Sequence, residues 1–94
     1  MKVYNKALDN IPDGAVYIGR PSKWGNPFVI GKDGNRKEVL DKYEVYLRSN
    51  SELMASIHEL EGKNLVCWCR PVACHGDVII KVIDELNREQ HIER

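Results

Sequence analysis

The sequence predicts a small single-domain α/β protein with a short mixed sheet, about three helices, and a ligand edge at the carboxyl ends of the strands. Three observations predict it. The chain has 94 residues, enough for one core and too few for two. Short β-branched and aromatic runs precede stretches of helical periodicity, the pattern of strands packed under helices. The densest clusters of Gly, Pro, Arg and Cys each follow directly on a predicted strand.

The elements follow in order. "KVY" (residues 2–4) and "AVYI" (15–18) read as strands, separated by "DNIPDG", where Pro12 fixes φ and Gly14 permits a positive one. "GRPSKWGNPF" contains Gly19, Pro21, Gly25, Asn26 and Pro27, a density that no helix or central strand tolerates, and is expected as an ordered loop. "FVI" is expected as a short edge strand before the turn "GKDGN". From Arg36 to Asn50, Val39, Leu40, Tyr43 and Leu47 fall on one helical face. Ser51 is the expected N-cap of a second helix that buries Leu53, Ile57 and Leu60 and stops at Gly62. "NLVCWC" is the clearest strand, and a last helix from about His75 carries Val78, Ile79, Val82, Ile83 and Leu86 at core spacing. The informative region spans 16–83, and 87–94 is a polar tail expected to fray.

Fourteen basic and fourteen acidic side chains cancel, so generic binding to nucleic acid is not expected and any anion site must be local. No segment has the ~20 apolar residues of a membrane span or the core of a signal peptide, so no membrane partner is expected. Three cysteines crowded into eight residues are an odd number and no disulfide framework; thiols without an export signal point to a cytoplasmic setting.

Strands 15–18 and 64–69 are expected to lie parallel, because a two-helix crossover joins them. Their following loops, "GRPSKWGNPF" and "CRPVACHG", then share one edge of the sheet, where open α/β sheets take ligands. Arg20, Lys23 and Arg70, with the start of the last helix, make an anion site suited to phosphate or carboxylate. Trp24 offers a ring for stacking, and Ser22 and Asn26 of the same loop complete the candidate ligand set. The competing structural role for Trp24 and Phe28 is to plug the end of the sheet.

The sulfurs admit three readings. Cys67, Cys69, Cys74 and His75 match the ligand count of a closed Cys3His zinc site, although a single residue between Cys67 and Cys69 is tighter than zinc sites usually use. Cys74, at a helix start that lowers a thiol pKa, is a candidate nucleophile with His75 assisting, as in a Cys-dependent hydrolase or transferase. In the third reading Cys67 and Cys69 are small buried hydrophobes and only Cys74 and His75 meet a ligand.

"VYIGRPSKWGNPF" followed by "ELEGKNLVCWCRPVACHGDVI" resembles a family of small phage and bacterial proteins known as domain of unknown function 4326. The resemblance covers residues 16–83. It implies a short intracellular α/β domain, often phage-encoded, with no assigned activity or cofactor. Its motif positions here are Gly19, Arg20, Ser22, Trp24, Gly25, Asn26, Pro27, Phe28, Cys67, Trp68, Cys69, Pro71, Cys74 and His75, without roles attached. The leading expectation is a domain that sequesters or processes a phosphate-bearing, nucleotide-like small molecule at the shared edge. No cofactor is expected in that reading. The alternatives are a zinc-binding module that engages a protein partner, such as a host protein in the cytoplasm, and the cysteine enzyme.

Overall fold

The computed structural model describes residues 1–68 and 73–92. Strands β1 (Val3–Asn5), β2 (Val16–Tyr17) and β3 (Leu65–Cys67) form a three-stranded sheet in the order β1-β3-β2. Helices α1 (Arg36–Ser49) and α2 (Ser51–Ser56) cross from β2 to β3, with a 3₁₀ turn at Ile57–Leu60, and α3 (His75–Ile92) follows β3. The fold is the expected α/β domain, and β2 and β3 are parallel, in the register Val16 with Leu65 and Tyr17 with Val66.

β3 is central and apolar throughout: Leu65, Val66 and Cys67 are all buried, as a strand covered on both faces requires. β1 also pairs with it in parallel, so the sheet is parallel throughout and not mixed. β1 pairs with β3 and not with its sequence neighbour β2, which makes both pairings parallel, and the expected "FVI" strand does not form. Its backbone is consumed locally: the Phe28 amide donates to Asn26 Oδ1 (2.9 Å) and the Val29 amide to Asp33 Oδ2 (2.9 Å). The Val29 carbonyl accepts from the Asp33 amide at 2.8 Å. Short polar side chains thus supply the hydrogen bonds that a sheet would otherwise offer, and the segment folds as a loop.

Helix boundaries follow side-chain caps. Asn35 and Glu38 form a reciprocal capping box at the start of α1. Asn50, one residue before the expected Ser51, caps α2 by accepting from the Leu53 amide at 3.0 Å. Gly62, at φ +75°, ends the 3₁₀ turn. α3 continues into the polar segment, to Ile92.

The core lies between the sheet and the helices, with Tyr43 and Leu47 from α1, Leu53, Ile57 and Leu60 from the crossover, Leu65 from β3, and Ile79, Val82 and Ile83 from α3. Tyr43 is fully buried, and its hydroxyl donates to the Trp24 carbonyl at 2.7 Å. That bond anchors the loop after β2 to α1. Tyr43→Phe leaves the carbonyl without its donor, and we expect a loss of about 1–3 kcal/mol in urea unfolding; an unchanged midpoint contradicts the assignment.

Candidate functional site

A cleft of about 300 Å³ opens at the carboxyl edge of the sheet. Its floor is Cys67 at the end of β3, with Cys74 and His75 at the start of α3. Gly19, Arg20 and Asn26 contribute from the loop after β2, Phe28 to Ile30 from the self-capped loop, Arg36, Val39 and Leu40 from α1, and Trp68 from beyond β3. The two motif loops therefore do share one edge, as the parallel pairing of β2 and β3 demands.

Two glycines let this edge close. A Cβ on Gly76 would stand 2.8 Å from Val3 and 3.0 Å from Ile18, so only glycine lets the first turn of α3 rest against the sheet. A Cβ on Gly19 would run into the Tyr17 hydroxyl, whose ring folds back over the chain. That hydroxyl donates to the Arg20 carbonyl and accepts from the Trp68 indole N–H, both at 2.9 Å. Lys6 Nζ lies 4.7 Å from the Tyr17 ring centre and 5.8 Å from that of Trp68, within cation–π reach. Buried Asn5 sets the other side of Trp68. Its Oδ1 accepts from the Ala7 and Leu8 amides, while its Nδ2 donates to the Trp68 carbonyl at 3.0 Å.

His75 is buried, and its Nε2 lies 2.7 Å from the Ile18 carbonyl. A carbonyl only accepts, so Nε2 carries the proton and Nδ1 is the acceptor of the neutral ring. Burial holds the His75 pKa below its usual value of 6.5 and the Arg20 charge lowers it further, against the opposing pull of the Ile18 bond and Asp77. The Cys67 and Cys74 sulfurs are 3.2 Å apart and both residues are 1% exposed. Cys74 is held protonated by its hydrogen bond to Cys67 and by burial, with the nearby Asp77 charge adding to both and the Gly76 amide opposing them. This is the reverse of the lowered thiol pKa expected at a helix start. The Asp77 carboxylate already occupies the Cys74 amide at 3.1 Å.

The family described as Domain of unknown function (DUF4326) matches residues 1–85. The chain belongs to it. Over 97% of its length the DUF4326 chain is 36% identical to "Uncharacterized protein R718" of Acanthamoeba polyphaga mimivirus, covering 85% of that protein. It is 32% identical over 79% of its length to "Uncharacterized 12.4 kDa protein in nrdA-td intergenic region" of Enterobacteria phage T4, covering 71% of that protein. No solved structure matches it.

In this DUF4326 chain the candidate residues part company. Arg20, Asn26, Cys67, Cys74 and His75 line the cleft. Asn26 acts as a brace, donating to the Val39 carbonyl at 3.3 Å while its Oδ1 holds the Phe28 amide. Trp24 is 3% exposed and plugs the end of the sheet, its indole committed to the core. Lys23 pairs with Glu59 at 2.9 Å and lies over the Trp24 ring, outside the cleft. Ser22 is likewise outside, its amide donating to the Gly19 carbonyl at 2.9 Å. Arg70 and Cys69 lie outside the described residues. Among the described residues no three His, Cys, Asp or Glu side chains form a metal-binding group, and none of the described helices is long and apolar enough to cross a membrane.

Two cleft residues, Arg36 and Trp68, had no ligand role in the sequence reading. Arg36 opens α1, and one of its guanidinium nitrogens donates to the Ala73 carbonyl at 2.9 Å, which ties α1 to the segment leading into α3. The signal was the Asn35 cap, because a crossover helix that starts after the loop of β2 starts at the same edge. Trp68 is 56% exposed and lines the cleft. It is the first residue past β3 but falls inside the expected strand 64–69, and nothing in the sequence marks the strand's end before it.

The neutral His75 generates a pH prediction. Between its lowered folded pKa and about 6.5, the unfolded chain binds more protons than the folded one, so stability rises with pH there. The contribution is complete above about pH 6.5 and is lost as the pH falls from there toward the folded value. We expect the loss in urea midpoint from about pH 7.5 to 5.5 to be smaller in His75→Gln than in the parent; equal losses contradict the assignment.

Proposed function

We propose that the chain binds a phosphate-bearing, nucleotide-like small molecule in this cleft. The observation that carries the reading is the placement of two guanidinium groups, Arg20 and Arg36, and an exposed indole, Trp68, around one apolar cleft of about 300 Å³. That volume is at the small end of ligand pockets and suits one nucleotide better than an oligomer. Among the described residues no carboxylate pairs with Arg20, and Arg36 spends one hydrogen bond on Ala73, leaving the rest of its fork for an anion. Trp68 takes the stacking role first expected of Trp24. The neutral His75 supplies an acceptor for a ligand N–H or O–H. The expected role of the helix amides is smaller than the sequence suggested, since Asp77 occupies one of them and Glu38 caps α1. The arginines hold the phosphate.

The reading is one of binding. A nucleophilic Cys74 needs an ionised sulfur, which burial and Cys67 oppose. Viral relatives and cleft thiols fit a product that works in the host cytoplasm.

Calorimetry against matched nucleosides and nucleoside phosphates tests the proposal. A charge-assisted hydrogen bond contributes about 1.5–3 kcal/mol, so Arg20→Ala and Arg36→Ala should each weaken phosphate binding roughly 10- to 100-fold and leave nucleosides unaffected. Trp68→Ala should weaken both classes, by about 1–3 kcal/mol. Unchanged phosphate affinity in the double arginine variant overturns the reading.

A further inference from the structure

We propose that Cys67 and Cys74 form a redox-active dithiol at the floor of the cleft, which a hydroperoxide converts to an intramolecular disulfide. The sulfurs already lie 3.2 Å apart, and a disulfide bond is about 2.05 Å long, so side-chain rotation supplies most of the approach. The pair is preorganised, because Cys67 is the last residue of β3 and Cys74 immediately precedes α3. The start of α3 is in turn held to β2 by the bond from His75 to Ile18. Both sulfurs belong to the cleft lining, and a small oxidant reaches them from the cleft, although little of either residue is exposed.

The roles differ. Either sulfur can donate the hydrogen bond between them; in the proposed sequence Cys67 is the attacking sulfur and Cys74 the resolving one. The Cys67 sulfur attacks the distal peroxide oxygen, the O–O bond breaks, and the alkoxide or hydroxide leaves with the Cys67 proton as alcohol or water. The Cys74 sulfur then displaces the hydroxyl from the Cys67 sulfenic acid, forming the S–S bond and releasing water with the Cys74 proton. In sum, two thiols and one hydroperoxide give one disulfide, one alcohol or water and one further water, with two electrons passing from sulfur to oxygen. The bond ties the end of β3 to the start of α3 at the cleft floor. The dithiol stands independently of what the cleft binds.

The test uses the full chain without nucleotide. Equimolar hydrogen peroxide should remove two of the three thiols, form no disulfide between chains, and be reversed by dithiothreitol. Chymotrypsin cuts after Trp68 and separates Cys67 from Cys74, so the mapped link should join those two peptides. Cys69→Ser should form the same link at the parent rate, and Cys74→Ser should not form it. A dithiol-directed trivalent arsenical should bind the unmodified chain one-to-one and protect Cys67 and Cys74 from alkylation, a measurement that needs no variant. A link that is lost in Cys69→Ser, disulfide-linked dimers, or a zinc ion retained by the purified chain with both thiols unreactive overturns the proposal.

Discussion

The docking of α3 on the end of β2 is the constraint on which the rest of the edge depends. Its centre is the 2.7 Å hydrogen bond between the His75 ring and the Ile18 carbonyl, both buried. Ile18 is the first residue past β2, so its carbonyl has left the sheet ladder and would otherwise be a buried acceptor without a partner, a loss of about 1–3 kcal/mol. A neutral imidazole satisfies it without burying a charge. Gly76 lets the same turn of α3 approach Val3 and Ile18 closely. Cys74 is thereby carried to Cys67, and the segment from Ala73 onward is set against Arg36. Cleft floor, dithiol and one rim cation all follow from one helix start.

The loops around the cleft owe their shape to short polar side chains that serve their own backbones. Asn5 and Asp9 organise the turn after β1, Asn26 and Asp33 the wall of the cleft, Asn35 and Glu38 the start of α1, and Asp77 the start of α3. This matters for charge. The chain carries as many acids as bases, so exposed cations would ordinarily meet carboxylates. Lys23, Lys37, Arg48 and Lys81 do, all away from the cleft. Two acids near the edge, Asp77 and Glu38, each accept from a backbone amide, that of Cys74 and that of Asn35. Among the described residues Arg20 and Arg36 have no carboxylate ion-pair partner, which the proposed anion site requires.

Much of this was legible in the sequence where one signal dominated. The helical period placed Tyr43, Leu47, Leu53, Ile57, Ile79 and Val82 in the core, and the length of the crossover dictated parallel strands and hence a shared edge for the two motifs. Legibility failed where two physical effects competed for the same residues. "FVI" has strand propensity, but Asn26 and Asp33 lie within reach of its amides and win. Cys74 sits at a helix start, which favours a thiolate, yet burial against a second sulfur is stronger. The boundary of a strand is a matter of one residue, and that residue decided whether Trp68 packed or overhung.

The two tryptophans show why that decision reaches function. Both sit in Gly- or Pro-rich surroundings after a strand, and composition does not tell them apart. Trp24 is followed by a loop that folds back onto α1, where Tyr43 holds its carbonyl, and its ring is drawn under the helices. Trp68 lies one residue past the central strand and its ring is 56% exposed. Tyr17 and Lys6 then hold the indole at the mouth of the cleft. An aromatic ring kept more than half exposed by specific partners is a different object from one left on the surface by default. The hydrogen bond and the cation fix its orientation before a ligand arrives, so little ordering entropy remains to be lost on binding. In the binding proposed for this cleft, that preorganisation would make Trp68 the stronger recognition element of the two, with a planar ligand entering between it and the arginines.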